Sequence, residues 1–160
     1  MKGARGVCHN RAISYQADFS LNGNLGELER LSAAVTEFCA KNSLDDETEF
    51  QLNLVLEELF VNTVRHGGCE GMPDAAQVSL RCTPHGVEVE FRDRGRPFDP
   101  TTAPDADIHA SLAERRDGLG IHLVRGIMSD LHYERNDEWN LLRMRRVAEP
   151  VRESEGFKNL

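Results

Sequence analysis

Apolar residues recur at two different spacings along this chain, and the spacing separates the predicted helices from the predicted strands. Between residues 24 and 42 the apolar positions lie three or four residues apart, which is the period of an amphipathic helix. The same period returns after residue 43 and runs to His66, where Gly67 and Gly68 interrupt it. Two consecutive helices are therefore predicted in the first half of the chain.

Alternating apolar and polar residues predict strands on both sides of these helices. One strand is predicted before them, over residues 11–20. Two hairpins are predicted after them: the first pairs residues 77–83 with 87–92 through Pro84-His85-Gly86, and the second pairs 131–135 with 139–146 around Asn136-Asp137.

Between the hairpins, residues 93–118 are rich in Asp, Pro, Gly and Arg. They predict a long loop with one helical turn near 107–114, and a helix follows over 121–128. Strands in adjacent antiparallel pairs, with helices between them, favour an α+β sandwich over an alternating parallel sheet. We expect one domain over residues 11–148, with loose tails at 1–10 and 149–160.

The charge balance excludes one class of partner. The 160-residue chain carries 27 acidic and 19 basic residues and a net charge of -8, whereas a protein that grips nucleic-acid phosphates needs a basic face. No apolar run approaches the length of a transmembrane helix, and the N-terminal residues lack the apolar core of a signal peptide. We therefore expect no nucleic-acid partner, no membrane association and a cytoplasmic location.

The four cysteines do not predict a metal site. They lie at positions 8, 39, 69 and 82, so none forms a Cys-x-x-Cys pair, and the histidines are scattered along the chain. Zinc sites need closely spaced ligand pairs, which this pattern lacks. We expect four reduced thiols.

The second predicted helix is apolar over most of its circumference but carries one polar stripe. At about 100° per residue, the stripe collects four side chains in one narrow sector, namely Gln51, Glu58, Asn62 and Arg65. One interpretation is a solvated face, because polar pairs four residues apart are common on helices. The other is a ligand pocket, since a carboxylate and a carboxamide on adjacent turns suit Mg²⁺ or the removal of a proton from a hydroxyl.

Two shorter motifs follow this helix. Asp93 ends a predicted strand with Gly95 beside it, so the carboxylate can accept a hydrogen bond from an exocyclic amine while the glycine lets a flat ring approach. Gly118 and Gly120 stand at the predicted start of the last helix, where free N–H groups and the helix dipole form an anion site. Taken singly, each motif is equally compatible with a plain turn or a loop-to-helix junction.

Taken in order, the motifs resemble the N, G1 and G2 boxes of the GHKL ATPase and kinase superfamily. The chain reads Glu58-x-x-x-Asn62-x-x-x-His66-Gly67, then Asp93-x-Gly95, then Gly118-x-Gly120, and the likeness spans residues 11–146. Within the superfamily the chain resembles the small anti-sigma-factor serine kinases of bacteria. The resemblance implies a two-layer sandwich with a mixed, mostly antiparallel sheet and helices on one face.

The resemblance also implies ATP and Mg²⁺ as cofactors and a role for the residues that match. Glu58 would be the general base toward a substrate hydroxyl. Asn62 would coordinate the Mg²⁺ that bridges the phosphates. Asp93 would read the adenine amino group, and Gly95 would make room for the base.

The remaining implied contacts involve the phosphates and the rim of the site. Gly118 and Gly120 would cradle phosphates beneath a lid formed by residues 99–117, and Arg116 would lie near the γ-phosphate. The other predicted nucleotide-binding residues are Arg65, His66, Phe98 and Leu119.

The function that the resemblance implies is that of an ATP-dependent serine/threonine protein kinase. It would phosphorylate a Ser or Thr of an anti-anti-sigma (STAS-type) partner and, as a homodimer, sequester a sigma factor. One alternative is a non-catalytic nucleotide-binding module that switches partners without phosphorylating them. A second alternative is a histidine-kinase catalytic domain, which needs an upstream helix pair with a phosphoacceptor His. A third is a mechanical ATPase of the gyrase type, which needs a transducer domain. The predicted elements include neither of these parts.

Overall fold

The computed structural model describes residues 14–104 and 112–148, and over 112–118 it describes the backbone alone. Within this range the chain forms five strands and three α-helices. The strands are β1 (Ala17–Leu21), β2 (Ala76–Thr83), β3 (Gly86–Asp93), β4 (Ser129–Asn136) and β5 (Trp139–Val147). The helices are α1 (Leu28–Lys41), α2 (Asp46–Arg65) and α3 (Leu112–Ile127), with one 3₁₀ turn, Leu25–Glu27, before α1.

The five strands form one sheet in the order β1-β2-β3-β5-β4, and every neighbouring pair is antiparallel. Both predicted hairpins are present, and β5 lies between β3 and β4. The register of β3 against β5 sets Asp93 opposite Asn140. The predicted α+β sandwich is confirmed, although the described sheet is antiparallel throughout rather than mixed.

The sheet buries one face because apolar and polar residues alternate along its central strands. Every second residue of these strands joins a core shared with the helices, including Val78, Leu80, Val89, Phe91, Leu142 and Met144. The intervening residues form partly exposed ion pairs on the other face: Arg143 contacts Glu90 at 3.2 Å, and Arg145 contacts Asp130 at 3.1 Å. The helices therefore cover one face of the sheet.

Helix α2 carries most of the candidate site. Asp45 caps its N terminus, where one carboxylate oxygen accepts hydrogen bonds from the backbone N–H and the hydroxyl of Thr48 at 2.9 and 2.5 Å. Its apolar side is completely buried through Leu52, Leu56 and Phe60. The predicted start of this helix between residues 43 and 46 is confirmed. This packing fixes which way the polar side of the helix faces.

Strand β1 is shorter than predicted. It begins at Ala17, because the backbone before it is held by a side chain instead of a neighbouring strand: the N–H of Tyr15 donates to Asn42 Oδ1 at 3.1 Å. Residues 14–16 of the prediction are described and are not strand, while residues 11–13 and both predicted tails lie outside the described residues.

Helix α3 is longer than predicted, and the loop before it is shorter. It begins at Leu112 rather than near residue 121, so Gly118 and Gly120 lie inside the helix. Two glycines cost about 1 kcal/mol each in a helix interior relative to alanine, but the Leu, Ala, Glu and Arg residues between 112 and 116 favour a helix. Most of the predicted turn over 107–114 lies outside the described residues.

The cysteines only partly match the prediction of reduced thiols. Cys39 and Cys69 are buried and free, and burial raises the pKa of Cys39 to about 12. Cys82 takes part in a disulfide, so the prediction is wrong at this position. Among the described residues, no helix combines the length and apolar character that crossing a membrane would require.

Replacing Phe60 by alanine should lower the free energy of unfolding by about 3–5 kcal/mol, because it removes a completely buried ring from the core. Phe50 lies on the same helix but is 66% exposed, so Phe50→Ala is the matched control and should change stability by less than about 0.5 kcal/mol. Urea denaturation of both variants measures this difference. Equal losses would contradict the placement of α2.

Candidate functional site

The C-terminal end of α2 is joined to the turn that follows β3. The two backbones approach closely because both positions are glycines: a Cβ added to Gly95 would lie 3.1 Å from the Cα of Gly67. The N–H of Arg96 donates to the carbonyl of Gly67 at 3.0 Å. The first two sequence motifs therefore meet in space, and the polar end of α2 lies beside Asp93.

A cavity of about 390 Å³ opens beside this junction. Its apolar wall is made by core residues of α2, β3, α3 and β5, namely Leu59, Phe91, Ile121 and Leu142. The predicted site residues that line it are Asn62, His66, Asp93 and Phe98. A mainly apolar cavity with a few convergent polar groups is the usual form of a small-molecule site.

Asp93 is the acidic residue that lines this cavity, and its two carboxylate oxygens differ in their hydrogen bonds. Oδ1 accepts hydrogen bonds from the backbone N–H of Gly95 at 2.8 Å and from Asn140 Nδ2 at 2.9 Å. Oδ2 accepts none from the residues that the structure describes. Burial raises the pKa of Asp93 above its ordinary value, while the hydrogen bonds from Asn140 and Gly95 and the charge of Arg135 oppose the rise. Asp93 thus keeps one acceptor for a ligand.

Gly95 is required by this geometry. A Cβ at this position would lie 2.7 Å from Asp93 Oδ1, which is closer than real side-chain atoms approach. The motif Asp93-x-Gly95 is therefore more than a plain turn, since the glycine leaves the space in which its own N–H reaches the carboxylate.

Three residues of the β4–β5 hairpin belong to the site and were not predicted as site residues. Asn140 is only 4% exposed and hydrogen-bonds to Asp93, while Tyr133 OH and Arg135 Nη1 donate to Asn140 Oδ1 at 2.7 and 2.8 Å. These residues could have been predicted only from the pairing of the two hairpins, because Asp93 of β3 lies opposite Asn140 of β5. That register cannot be read from either hairpin alone.

A second cavity of about 340 Å³ adjoins the first and shares Asn62, His66 and Ile121 with it. Glu58 and Arg65 also line it, so three of the four residues of the polar stripe lie together. The fourth, Gln51, instead accepts a hydrogen bond from Arg146 Nε at 2.9 Å. Neither the Glu58 carboxylate nor the Asn62 carboxamide hydrogen-bonds to another described residue, which argues against a locally paired, solvated stripe.

Gly120 packs directly against Glu58, where a Cβ would overlap the carboxylate oxygen Oε2. The prediction that Gly118 and Gly120 open a helix is wrong, because both lie inside α3, where backbone N–H groups donate to the carbonyl four residues earlier. Phosphate binding by these two glycines stays a prediction. The glycine at position 120 instead lets α3 approach α2 closely.

The remaining predicted residues are placed as follows. Arg65 and His66 are exposed at the rim, Phe98 is 43% exposed beside the first cavity, and Leu119 is 48% exposed beside the second. The side chain of Arg116 and the surroundings of Gly118 lie outside what the structure describes.

The sequence also matches a family of known domains. Residues 21–146 match the histidine kinase-like ATPase domain family, and this range contains Glu58, Asn62, Asp93 and Gly120. The chain belongs to this family. Binding of ATP therefore follows at the level of the family, and the predicted membership of the GHKL superfamily is confirmed.

Two relatives place the chain within the family. It is 34% identical over 102 residues to the serine/threonine-protein kinase BtrW of Bordetella bronchiseptica, covering 63% of this chain and 72% of BtrW. It also resembles the crystal structure of the RsbU and RsbW domains of Rv1364c from Mycobacterium tuberculosis, with a TM-score of 0.62 and 15% identity over 88% of this chain. The chain spans 34% of that structure's chain, and this likeness shows the fold alone. Together the comparisons confirm the likeness to the anti-sigma-factor type of kinase.

Replacing Asp93 by asparagine should keep the fold but abolish ATP binding. The side-chain oxygen of the variant can still accept both hydrogen bonds made by Oδ1, whereas an NH₂ group replaces the free acceptor Oδ2. Isothermal titration calorimetry with ATP and Mg²⁺ measures the loss, and circular dichroism checks the fold.

The same variant should remove a pH dependence of stability. Burial raises the folded-state pKa of Asp93 above the unfolded value, so between the two values the folded wild type binds more protons and loses stability as pH rises. The unfolding free energy of Asp93→Asn relative to wild type should therefore increase with pH across that window. Denaturant titrations at a series of pH values measure it, and a constant difference would show that Asp93 is not buried as described.

Proposed function

We propose that this protein is an ATP- and Mg²⁺-dependent serine/threonine protein kinase that phosphorylates an anti-anti-sigma partner and sequesters a sigma factor. The observation that carries the proposal is the meeting of two cavities at Asn62, one lined by Asp93 and the other by Glu58. A nucleotide that extends from the first cavity into the second would have its base at Asp93 and its terminal phosphate near Glu58.

The first cavity suits adenine. Its walls are apolar, and Oδ2 of Asp93 is an acceptor for the exocyclic amino group of the base. Tyr133 and Phe91 supply aromatic surface in the same cavity, against which a flat ring can pack. Gly95 keeps the space beside the carboxylate open.

Asn62 is the residue that would hold Mg²⁺. Its carboxamide oxygen is a hard ligand at the junction of the two cavities, and no described residue hydrogen-bonds to it, so the donor fits the ion. No group of three or more His, Cys, Asp or Glu side chains among the described residues could hold a metal ion. In this proposal, phosphate and water oxygens would supply the remaining ligands. When bound, Mg²⁺ offsets the negative charge on the transferring phosphoryl group.

Glu58 is the general base of the proposed reaction. Its carboxylate accepts the proton of a serine or threonine hydroxyl as the hydroxyl oxygen bonds to the γ-phosphorus and the bond to the β-phosphate oxygen breaks, releasing ADP. Arg65, which lines the same cavity, supplies positive charge toward the phosphates. The role of Arg116 near the γ-phosphate remains a prediction from the family resemblance.

The partners are inferred from the relatives. BtrW is a serine/threonine-protein kinase, and the structure from Mycobacterium tuberculosis pairs an RsbW domain with an RsbU domain. We infer a cytoplasmic homodimer that binds a sigma factor. An unphosphorylated STAS-type antagonist would displace the sigma factor. The domain over residues 11–148 is proposed to suffice for this activity.

One observation favours a second candidate function. Gly120 lies against the Glu58 carboxylate, so the proposed base is covered on that side by α3. A module that binds nucleotide and switches partners without transferring phosphate would retain Asp93 and Asn62 but would not need an open Glu58. Nucleotide binding and phosphotransfer must therefore be measured separately.

Glu58→Gln should reduce phosphotransfer by roughly 10²- to 10⁴-fold while leaving ATP binding nearly unchanged, because a carboxamide cannot accept the hydroxyl proton. Transfer of label from γ-labelled ATP to a STAS-type partner measures the first quantity, and calorimetry measures the second. Glu57→Gln is the matched control, since this neighbouring carboxylate of α2 does not line either cavity. Equal transfer by wild type and Glu58→Gln would remove Glu58 from its role, and no transfer by wild type would favour the non-catalytic module.

Asn62→Ala should remove most of the effect of Mg²⁺ on ATP affinity, because the variant lacks the one proposed metal ligand of the protein. Calorimetric titrations with ATP in the presence of Mg²⁺ or EDTA measure that effect. Asn53→Ala on the same helix is the control and should keep the full effect of Mg²⁺. If Asn62→Ala binds ATP with the same Mg²⁺ dependence as wild type, the ion is held elsewhere.

A further inference from the structure

We propose that Asn140 is the positioning residue that makes the site selective for a base carrying an exocyclic amino group. The inference rests on the proposed binding of ATP in the cavity beside Asp93. Asn140 lies in the β4–β5 hairpin, outside the three sequence motifs, and orients the carboxylate of Asp93.

The orientation of the Asn140 carboxamide follows from its neighbours. Arg135 Nη1, which can only donate, lies 2.8 Å from one end of the group, so that end is the oxygen. The carbonyl oxygens of Gly95 and Arg96, which can only accept, lie 3.1 and 3.0 Å from the other end, so that end is the NH₂ group. The NH₂ group therefore also faces Asp93 Oδ1, at 2.9 Å.

These contacts use the hydrogen-bonding capacity of Asn140 fully. Its two N–H bonds serve three acceptors, and its oxygen accepts from both Tyr133 OH and Arg135 Nη1. A side chain that is 4% exposed and saturated in this way has no donor or acceptor left for a nucleotide. Asn140 must therefore act on a ligand through Asp93.

The effect on Asp93 is to divide its oxygens between two tasks. Oδ1 is held by Asn140 and by the N–H of Gly95, which fixes the rotation of the carboxylate and leaves Oδ2 as the acceptor for the cavity. The same NH₂ group donates hydrogen bonds to the carbonyls of Gly95 and Arg96 and so stabilises the turn that borders the cavity. Without Asn140 the carboxylate would keep one hydrogen bond and could rotate.

Two nucleotides isolate this effect. ATP carries the exocyclic amino group, and purine riboside triphosphate has a hydrogen in its place, so the ratio of their dissociation constants measures the contact with Asp93. A hydrogen bond to a charged group corresponds to a preference of about 10- to 100-fold for ATP in wild type. Asn140→Asp keeps the size of the side chain but presents a carboxylate to Asp93, and Asn140→Ser removes the donor without adding charge.

Both Asn140 variants should lose more affinity for ATP than for purine riboside triphosphate, so the preference for ATP falls toward one. The matched controls are Asn136→Asp and Asn136→Ser, since Asn136 lies in the same hairpin, is exposed, and its side chain hydrogen-bonds only to Glu134 within the described chain. The controls should keep the wild-type preference. Binding is measured by calorimetry, and the thermal unfolding of each variant shows whether it is folded at the temperature of the titration.

The outcomes separate this inference from the proposed function. If folded Asn140 variants bind both nucleotides more weakly by the same factor, Asn140 is merely structural and the inference is wrong, while ATP binding stands. If wild type binds ATP without preferring it, Asp93 does not read the amino group and the inference is also wrong. If wild type binds neither nucleotide, the proposed function fails and the inference fails with it. Should Asn140→Asp not fold, because it buries a second carboxylate beside Asp93, Asn140→Ser, which adds no charge, decides the question.

Discussion

A carboxylate can be buried only if hydrogen-bond donors or positive charges offset the loss of water, and the arrangement around Asp93 satisfies this constraint. Its Oδ1 is satisfied by the backbone of Gly95 and by Asn140, and Arg135 adds positive charge. Because these donors come from the turn after β3 and from the β4–β5 hairpin, one half-buried carboxylate joins the two hairpins. The same turn reaches the end of α2 through the contact between Arg96 and Gly67. The first cavity is thus bordered by segments that Asp93 holds in place.

Helix α2 connects this cavity to the chemistry proposed for the second one. Its apolar side is fixed against the core by Leu52, Leu56 and Phe60, which sets the rotation of the helix and places Asn62 and Glu58 on the side that lines the cavities. The close approach of Gly120 shows that α3 can rest on the carboxylate of Glu58. In the proposed reaction the metal ligand Asn62 and the proton acceptor Glu58 would therefore both come from α2, whereas access to Glu58 would depend on α3.

Local pattern predicted the parts of the molecule that depend on local forces. The apolar period fixed α1 and α2, the alternation fixed both hairpins, and the ordered motifs identified Glu58, Asn62 and Asp93, which line the two adjoining cavities. The sequence pattern did not predict the features that depend on contacts between distant parts of the chain. The glycines 118 and 120 predict a helix start by propensity, but the helix continues through them and packs on Glu58. The part played by Asn140 depends on the register of β3 against β5, and the disulfide of Cys82 likewise has no local signal.

The most direct measurement of the central claim is a crystal structure of the protein with Mg²⁺ and a non-hydrolysable ATP analogue. The expected result is an adenine amino nitrogen at about 3 Å from Asp93 Oδ2, with Asn140 still on Oδ1 and Asn62 coordinating the ion. An analogue bound outside the two cavities, or one whose amino group faces solvent while Asp93 keeps its present contacts alone, would contradict the claim that this carboxylate reads the base.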